Sequence, residues 1–147
     1  MGKFSPIILL GTLLGLLSLS SCSLDSDDSG DLGAYWHLIS VDTLATEGSC
    51  DVSARRVFWA IQGPILQTYD FSSGQIYVFH YNHANSTLTL TEPRVNDRTK
   101  GDPLVEDPTV LHPVGVHGLE DVFNIEELGS GKLVIADTAY RLHFRAQ

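Results

Sequence analysis

His80 and His83 stand three residues apart, and His112 and His117 lie five apart with Asp107 and Glu120 close by. From such groups an imidazole–carboxylate metal site or an acid–base pair would have to be built. In a continuing strand His80 and His83 point to opposite faces, so they converge only if a turn begins by Asn82. His112 and His117 fall in a stretch broken by Pro93, Pro103, Pro108 and Pro113, where the sequence sets no geometry. Asp97, Asp102, Glu106 and Asp107 share that stretch, but nothing in their spacing fixes a carboxylate pair. No Gly-x-Ser-x-Gly elbow, phosphate loop, His-Glu-x-x-His or Cys-x-x-Cys is present. Scattered surface histidines and a solvated acidic loop account for these residues without metal, cofactor or catalysis. The sequence therefore points away from an enzyme.

Cys22 carries the most specific chemistry in the chain. Met1-Gly2-Lys3 is a short positive start, residues 4–19 are rich in Ile and Leu, and Leu19-Ser20-Ser21-Cys22 follows. These are the parts of a secretory signal. The apolar run falls short of the roughly 20 residues that span a bilayer. Leu19-Ser20-Ser21-Cys22 resembles a bacterial lipobox, which implies cleavage before Cys22 and a thioether-linked diacylglycerol on it. Residues 1–21 are then a signal peptide that is removed, and the rest is an outer membrane lipoprotein facing the periplasm or the cell surface. Each buried acyl CH₂ contributes about 0.8 kcal/mol, so several chains make a stable anchor.

Residues 22–33 read as a flexible acidic tether, because Ser23-Leu24-Asp25-Ser26-Asp27-Asp28-Ser29-Gly30-Asp31 holds too little apolar area to order itself. The run also resembles the acidic export signals of surface lipoproteins in one Gram-negative phylum; a plain solvated spacer is the alternative. A calcium loop starting at Asp25 is excluded, since Trp36 occupies the twelfth position, where a bidentate Glu is needed.

Once residues 1–21 are removed, 126 of the 147 residues remain, enough for one domain with a real core. Lys3 is the only charged residue of the signal, so 8 basic residues face 18 acidic ones in the remainder. That balance excludes nucleic acid as a partner and opposes charge-driven binding to an anionic membrane surface. With Cys22 used by lipid, Cys50 has no intramolecular partner. Gly48-Ser49-Cys50-Asp51 supplies no basic neighbour to activate its thiol, so it reads as a loop cysteine.

The elements that must position any site are short, β-rich and separated by turns. Residues 35–41, 57–61, 65–69, 75–82, 86–91, 122–128, 132–136 and 140–145 are strand candidates. Tyr77, Phe79 and Tyr81 share one face of the fourth; Leu88 and Leu90 alternate with Thr87, Thr89 and Thr91 in the fifth. In the last, Tyr140, Leu142 and Phe144 oppose Arg141, His143 and Arg145. A period of two with one polar face is the mark of an antiparallel sheet with one wet side. About eight such strands predict an all-β fold over residues 34–147, an antiparallel up-and-down β-barrel or a strongly curled sheet. Residues 92–121 form one long Pro-rich loop, which either is functional or holds short elements that periodicity does not resolve. Val114 to Leu119 is a candidate for one helical turn.

Gly33-Ala34-Tyr35-Trp36, with Leu38, resembles the Gly-x-Trp element that opens lipocalin-like domains, here one residue longer than usual. Phe123-x-Ile125-x-x-Leu128, Lys132-Leu133 and Tyr140-Arg141-Leu142-x-Phe144-Arg145 resemble the closing strands of small lipocalin-like lipoproteins of Gram-negative gut anaerobes. Trp36 and Arg145 suggest the family's Trp–Arg closure. With the lipobox and tether, the resemblance spans most of the chain. It implies a lipocalin-like barrel that holds a small apolar ligand, in a group many of whose members have no known function.

On the parity above, Trp36, Trp59, Tyr77, Phe79, Tyr81 and Phe144 are the ligand-binding candidates. Eight-stranded barrels either fill with side chains or leave room for one small ligand, and such bulk in so short a chain favours filling. The alternative function is a non-enzymatic surface protein-interaction module that uses residues 92–121 to dock a protein partner. Asp42-Thr43-Leu44 and Asp137-Thr138-Ala139 resemble O-glycosylation acceptors of the same phylum, which makes Thr43 and Thr138 candidate sites; chance explains the short pattern equally well.

Overall fold

The computed structural model describes residues 30–147. Cys22, the lipobox and residues 23–29 lie outside the described residues. Nine strands follow in order: β1 (Ala34–Thr43), β2 (Gly48–Asp51), β3 (Val57–Gln62), β4 (Ile65–Asp70), β5 (Gln75–Ala84), β6 (Thr87–Val95), β7 (Asp121–Gly129), β8 (Lys132–Ala136) and β9 (Tyr140–Ala146). All neighbouring pairs are antiparallel, and β9 returns to β1, so that β1 and β3–β9 close an eight-stranded barrel. Closure leaves the barrel itself no free edge.

Alternation builds the core. Trp36, Leu38, Val57, Trp59, Ile61, Leu66, Tyr77, Phe79, Leu88, Leu90, Leu133, Ile135, Leu142 and Phe144 are all buried, and successive members on each strand are two residues apart. That spacing keeps them on one side of the pleat. The outer face carries an aromatic row of its own, with Tyr35 and His37 stacked on Phe58 at 4.8 and 4.6 Å between ring centroids.

Two local features differ from the sequence reading, and two more lay beyond what it resolved. Cys50 lies in strand β2, not in a loop. All four residues of β2 are exposed, and they are held by backbone pairing of Gly48–Asp51 with Thr43–Ser40 of β1. An exposed, polar strand has no hydrophobic period to announce it. Second, β6 runs on through Pro93 to Val95. The pairing of Val78 with Arg94 and His80 with Thr91 sets Glu92 and Pro93 against Phe79 alone, a β-bulge in which Glu92 takes φ 51. Proline's missing N–H is harmless where the ladder is interrupted.

Third, residues 92–121 hold short elements, one of the two alternatives for this stretch. These are 3₁₀ turns at Arg98–Lys100 and Pro108–Val114, capped by Asp97 and Asp107, which accept from the Thr99 and Thr109 N–H groups. Helical structure thus ends where a turn over residues 114–119 was expected to begin. Fourth, Gly30–Leu32 forms a 3₁₀ turn ahead of β1, with Leu32 fully buried.

The Gly30–Leu32 and Pro108–Val114 turns close the two ends of the barrel. Leu32 precedes β1 at one end. Leu111, Val114 and Val116 enter the core at the other, where β6 finishes and β7 begins. Gly115 ends this second closure at φ 91, and a Cβ there would stand 3.0 Å from Leu142 Cδ1. Both the left-handed backbone and the close approach require glycine.

Candidate functional site

The barrel interior is where the sequence placed its binding residues. Trp36 and Trp59 are register partners across β1 and β3. The Trp36 indole donates to the Leu32 carbonyl at 2.9 Å and the Trp59 indole to the Val114 carbonyl at 2.8 Å. Trp59 packs on Phe144 and Phe123, with centroids 4.8 and 6.0 Å away. Tyr77 and Phe79 are buried. Tyr81 is half-buried at the opposite end, where its hydroxyl donates to the Gly63 carbonyl at 2.6 Å. Five of the six aromatics therefore share one core with Leu66, Leu88, Leu90, Leu133, Ile135 and Leu142, all fully buried.

Phe123 belongs with them, although the sequence reading used it only in the closing-strand resemblance and not as a ligand-binding candidate. A bulge between Ile125 and Glu127 breaks the alternation of β7, so parity along residues 122–128 is not readable. Arg145, by contrast, is exposed and pairs in register with His37, while Leu142 and Phe144 take the inward positions of β9. No Trp36–Arg145 closure forms; Leu32 meets the indole instead.

One row across the sheet combines apolar surface with an unmet polar group. Trp59 pairs with Thr68, and Thr68 pairs with Tyr77. Thr68 is fully buried, and its hydroxyl has no hydrogen-bond partner. Such a group costs about 1–3 kcal/mol, and a native structure that keeps one calls for a reason. Above this row Tyr77 joins Asp70, Ser73, Gln75, Val110, Pro113 and Val114 around a cleft of about 160 Å³ between the barrel rim and the Pro108–Val114 closure. Burial raises the Tyr77 pKa, so its hydroxyl stays protonated near neutrality.

The histidines separate. His80 reaches Glu92 at 3.6 Å, and His83 lies 3.1 Å from the Asn85 carbonyl; β5 continues to Ala84, so the two do not converge. His112 and His117 do come together, with rings 4.9 Å apart, but Asp107 is used as a cap. The acids at His117 are Asp121 and Asp137. The His117 backbone N–H donates to Asp121 Oδ2 at 2.9 Å, and the ring Nδ1 lies 3.7 Å from Asp137 Oδ2. Asp137 Oδ1 accepts from the Ala139 and Tyr140 N–H groups, and the His117 ring stacks on Tyr140 at 4.1 Å. Burial lowers the His117 pKa, although Asp137 pulls the other way. Burial raises Asp121 to about 6, and the Asp137 carboxylate pushes in the same direction. No spacing rule links positions 117, 121 and 137, since the antiparallel pairing of β7 with β8 brings them together.

Thr138 is exposed in the β8–β9 turn, and Thr43 is half-buried at the end of β1 between β2 and β9.

A family model described as a lipocalin-like domain matches residues 17–146. Among solved structures, the chain is similar to a lipocalin-like protein from Bacteroides uniformis ATCC 8492. The two are 18% identical with a TM-score of 0.60, over 80% of this chain and 100% of that one. It is also similar to an uncharacterized protein from Bacteroides eggerthii DSM 20697, at 17% identity and a TM-score of 0.58, over 78% of this chain and 98% of that one. At such identities the likeness is one of fold. No curated protein matches the chain.

Proposed function

The chain belongs to the lipocalin-like domain family, and from that premise we propose that it is a membrane-tethered, non-enzymatic module. It binds a small, largely apolar molecule at the barrel end closed by Pro108–Val114. The observation that carries this reading is the row Trp59–Thr68–Tyr77 beneath the cleft, apolar surface with one unpartnered hydroxyl at its centre. Ligand pockets usually enclose about 300–1,000 Å³. A cleft of about 160 Å³ is therefore an entrance, and a ligand of ordinary size displaces Leu111 and Val114 as it enters. Leu19-Ser20-Ser21-Cys22 supports the lipid anchor and an outer-membrane location, facing the periplasm or the cell surface.

Native mass spectrometry of the purified chain, with extraction of copurifying molecules, tests the reading. A bound apolar species, taken up more readily by Leu111→Ala than by the unmodified chain, is the expected result. A chain that stays ligand-free, with no uptake of an apolar fluorophore by either protein, would sink it.

A second reading rests on a different observation. Leu104, Val110 and Leu119 of the 92–121 segment are 52%, 42% and 42% exposed, an apolar display suited to a surface protein partner. Deleting the segment would strip Val105 and Leu111 from the core, so the test is Leu104→Ser with Val110→Ser and Leu119→Ser. Loss of partner pull-down with unchanged melting favours this reading; unchanged pull-down removes it.

A further inference from the structure

Beside the Pro108–Val114 closure, three side chains from two stretches of chain converge. His117 comes from the link into β7, Asp121 is the first residue of β7, and Asp137 follows the end of β8. One donor atom from each lies within 4.8 Å of the others. We propose that His117, Asp121 and Asp137 bind one divalent transition-metal ion, Zn²⁺ or an ion of similar ligand preference, which fastens the closing segment to β7 and the β8–β9 turn.

The geometry around His117 carries the argument. Its Nδ1 is buried and makes no hydrogen bond, while Asp137 Oδ2 stands 3.7 Å away. That gap is too long for a hydrogen bond. It suits an ion bonded at about 2.1 Å to both atoms, which would subtend an angle of roughly 120°. Bringing the Asp121 oxygen into the same sphere requires side-chain shifts of about an ångström or less.

Charge points the same way. Asp121 is 7% exposed, the Asp137 side chain is 8% exposed, and among the described residues neither pairs with a lysine or arginine. Two buried carboxylates without a cation repel one another and lack solvation. A divalent ion would cancel both charges and take the unpartnered Nδ1 as a ligand; one nitrogen with two carboxylates suits Zn²⁺ better than Mg²⁺ or Ca²⁺.

The supporting contacts are those expected around metal ligands. Stacking on Tyr140 orients the imidazole, and the Ala139 and Tyr140 N–H groups hold Asp137 Oδ1, so that Oδ2 faces His117 Nδ1. The metal ligands share no residue with the cleft lined by Tyr77, Val110, Pro113 and Val114, so ion binding is measured separately from apolar-ligand binding.

Titration of the full-length, metal-stripped chain with ZnCl₂ by calorimetry, and with Co²⁺ by visible absorption, tests the proposal. One equivalent should bind and raise the melting temperature. His117→Phe keeps the ring stack without the nitrogen donor, and Asp121→Asn keeps an oxygen for the His117 N–H. Each should weaken binding about a hundredfold or more while remaining folded, and His80→Gln should bind as the unmodified chain does. No binding by the unmodified chain, as for two carboxyls that simply share a proton, overturns the proposal. Binding that survives both cluster variants, or that is lost in His80→Gln, overturns it as well.

Discussion

Trp36 and Trp59 face one another as register partners, yet their indoles bond carbonyls at opposite ends of the barrel. Two adjacent residues of one row thus hold both closures, Leu32 below and Val114 above. Replacing either by phenylalanine leaves a buried carbonyl unpaired, at a cost of about 1–3 kcal/mol. The damage should be local. Hydrogen exchange should speed up at residues 111–116 in Trp59→Phe and at residues 30–34 in Trp36→Phe. The same exchange pattern in both variants would show that the closures are not separately anchored.

Thr68→Val replaces an unpartnered buried hydroxyl with a methyl of the same shape. The variant should gain about 1–2 kcal/mol in urea denaturation while binding any polar-headed apolar ligand more weakly. A loss of stability would mean that the hydroxyl is satisfied in solution.

Asp70 predicts an acid-side dependence. Burial pushes its carboxyl up, but hydrogen bonds from Ser72 and Ser73, and the charge of Arg55 3.6 Å away, outweigh burial and hold the pKa below the usual range. The folded pKa is then lower than the unfolded one, near 3.9. This contribution is complete above the unfolded value and is lost as pH falls through the folded value. Melting followed from pH 6 to pH 2 should show the unmodified chain losing more stability than Asp70→Asn over the acidic limb. Parallel curves would refute the assignment.

Cys22→Ala should move the chain from the membrane fraction to the soluble fraction and abolish incorporation of labelled palmitate. The domain, whose described core begins at Leu32, should melt unchanged. Membrane retention of the variant would place the anchor elsewhere.

Period-two alternation made most of the barrel legible in advance. Tyr77 and Phe79, Leu88 and Leu90, and Leu142 and Phe144 point inward as their spacing requires, because a strand with one wet face allows no other register. Where the period fails, so did the reading. β2 has no buried residue, β6 carries Pro93 inside a bulge, and β7 shifts register after Ile125, which hid Phe123.

By itself the sequence determined the all-β class, the inward faces of most strands and the family resemblance, since these follow from local patterning and short motifs. Only the tertiary structure decided that Pro108–Val114 stoppers one end, that Thr68 is buried without a partner, and that Asp121 and Asp137, rather than Asp107 and Glu120, meet His117. Those relationships join residues apart in the chain, and strand pairing sets them: β3, β4 and β5 align Trp59, Thr68 and Tyr77, and β7 against β8 brings Asp121 to Asp137. No local spacing encodes a distance across a barrel.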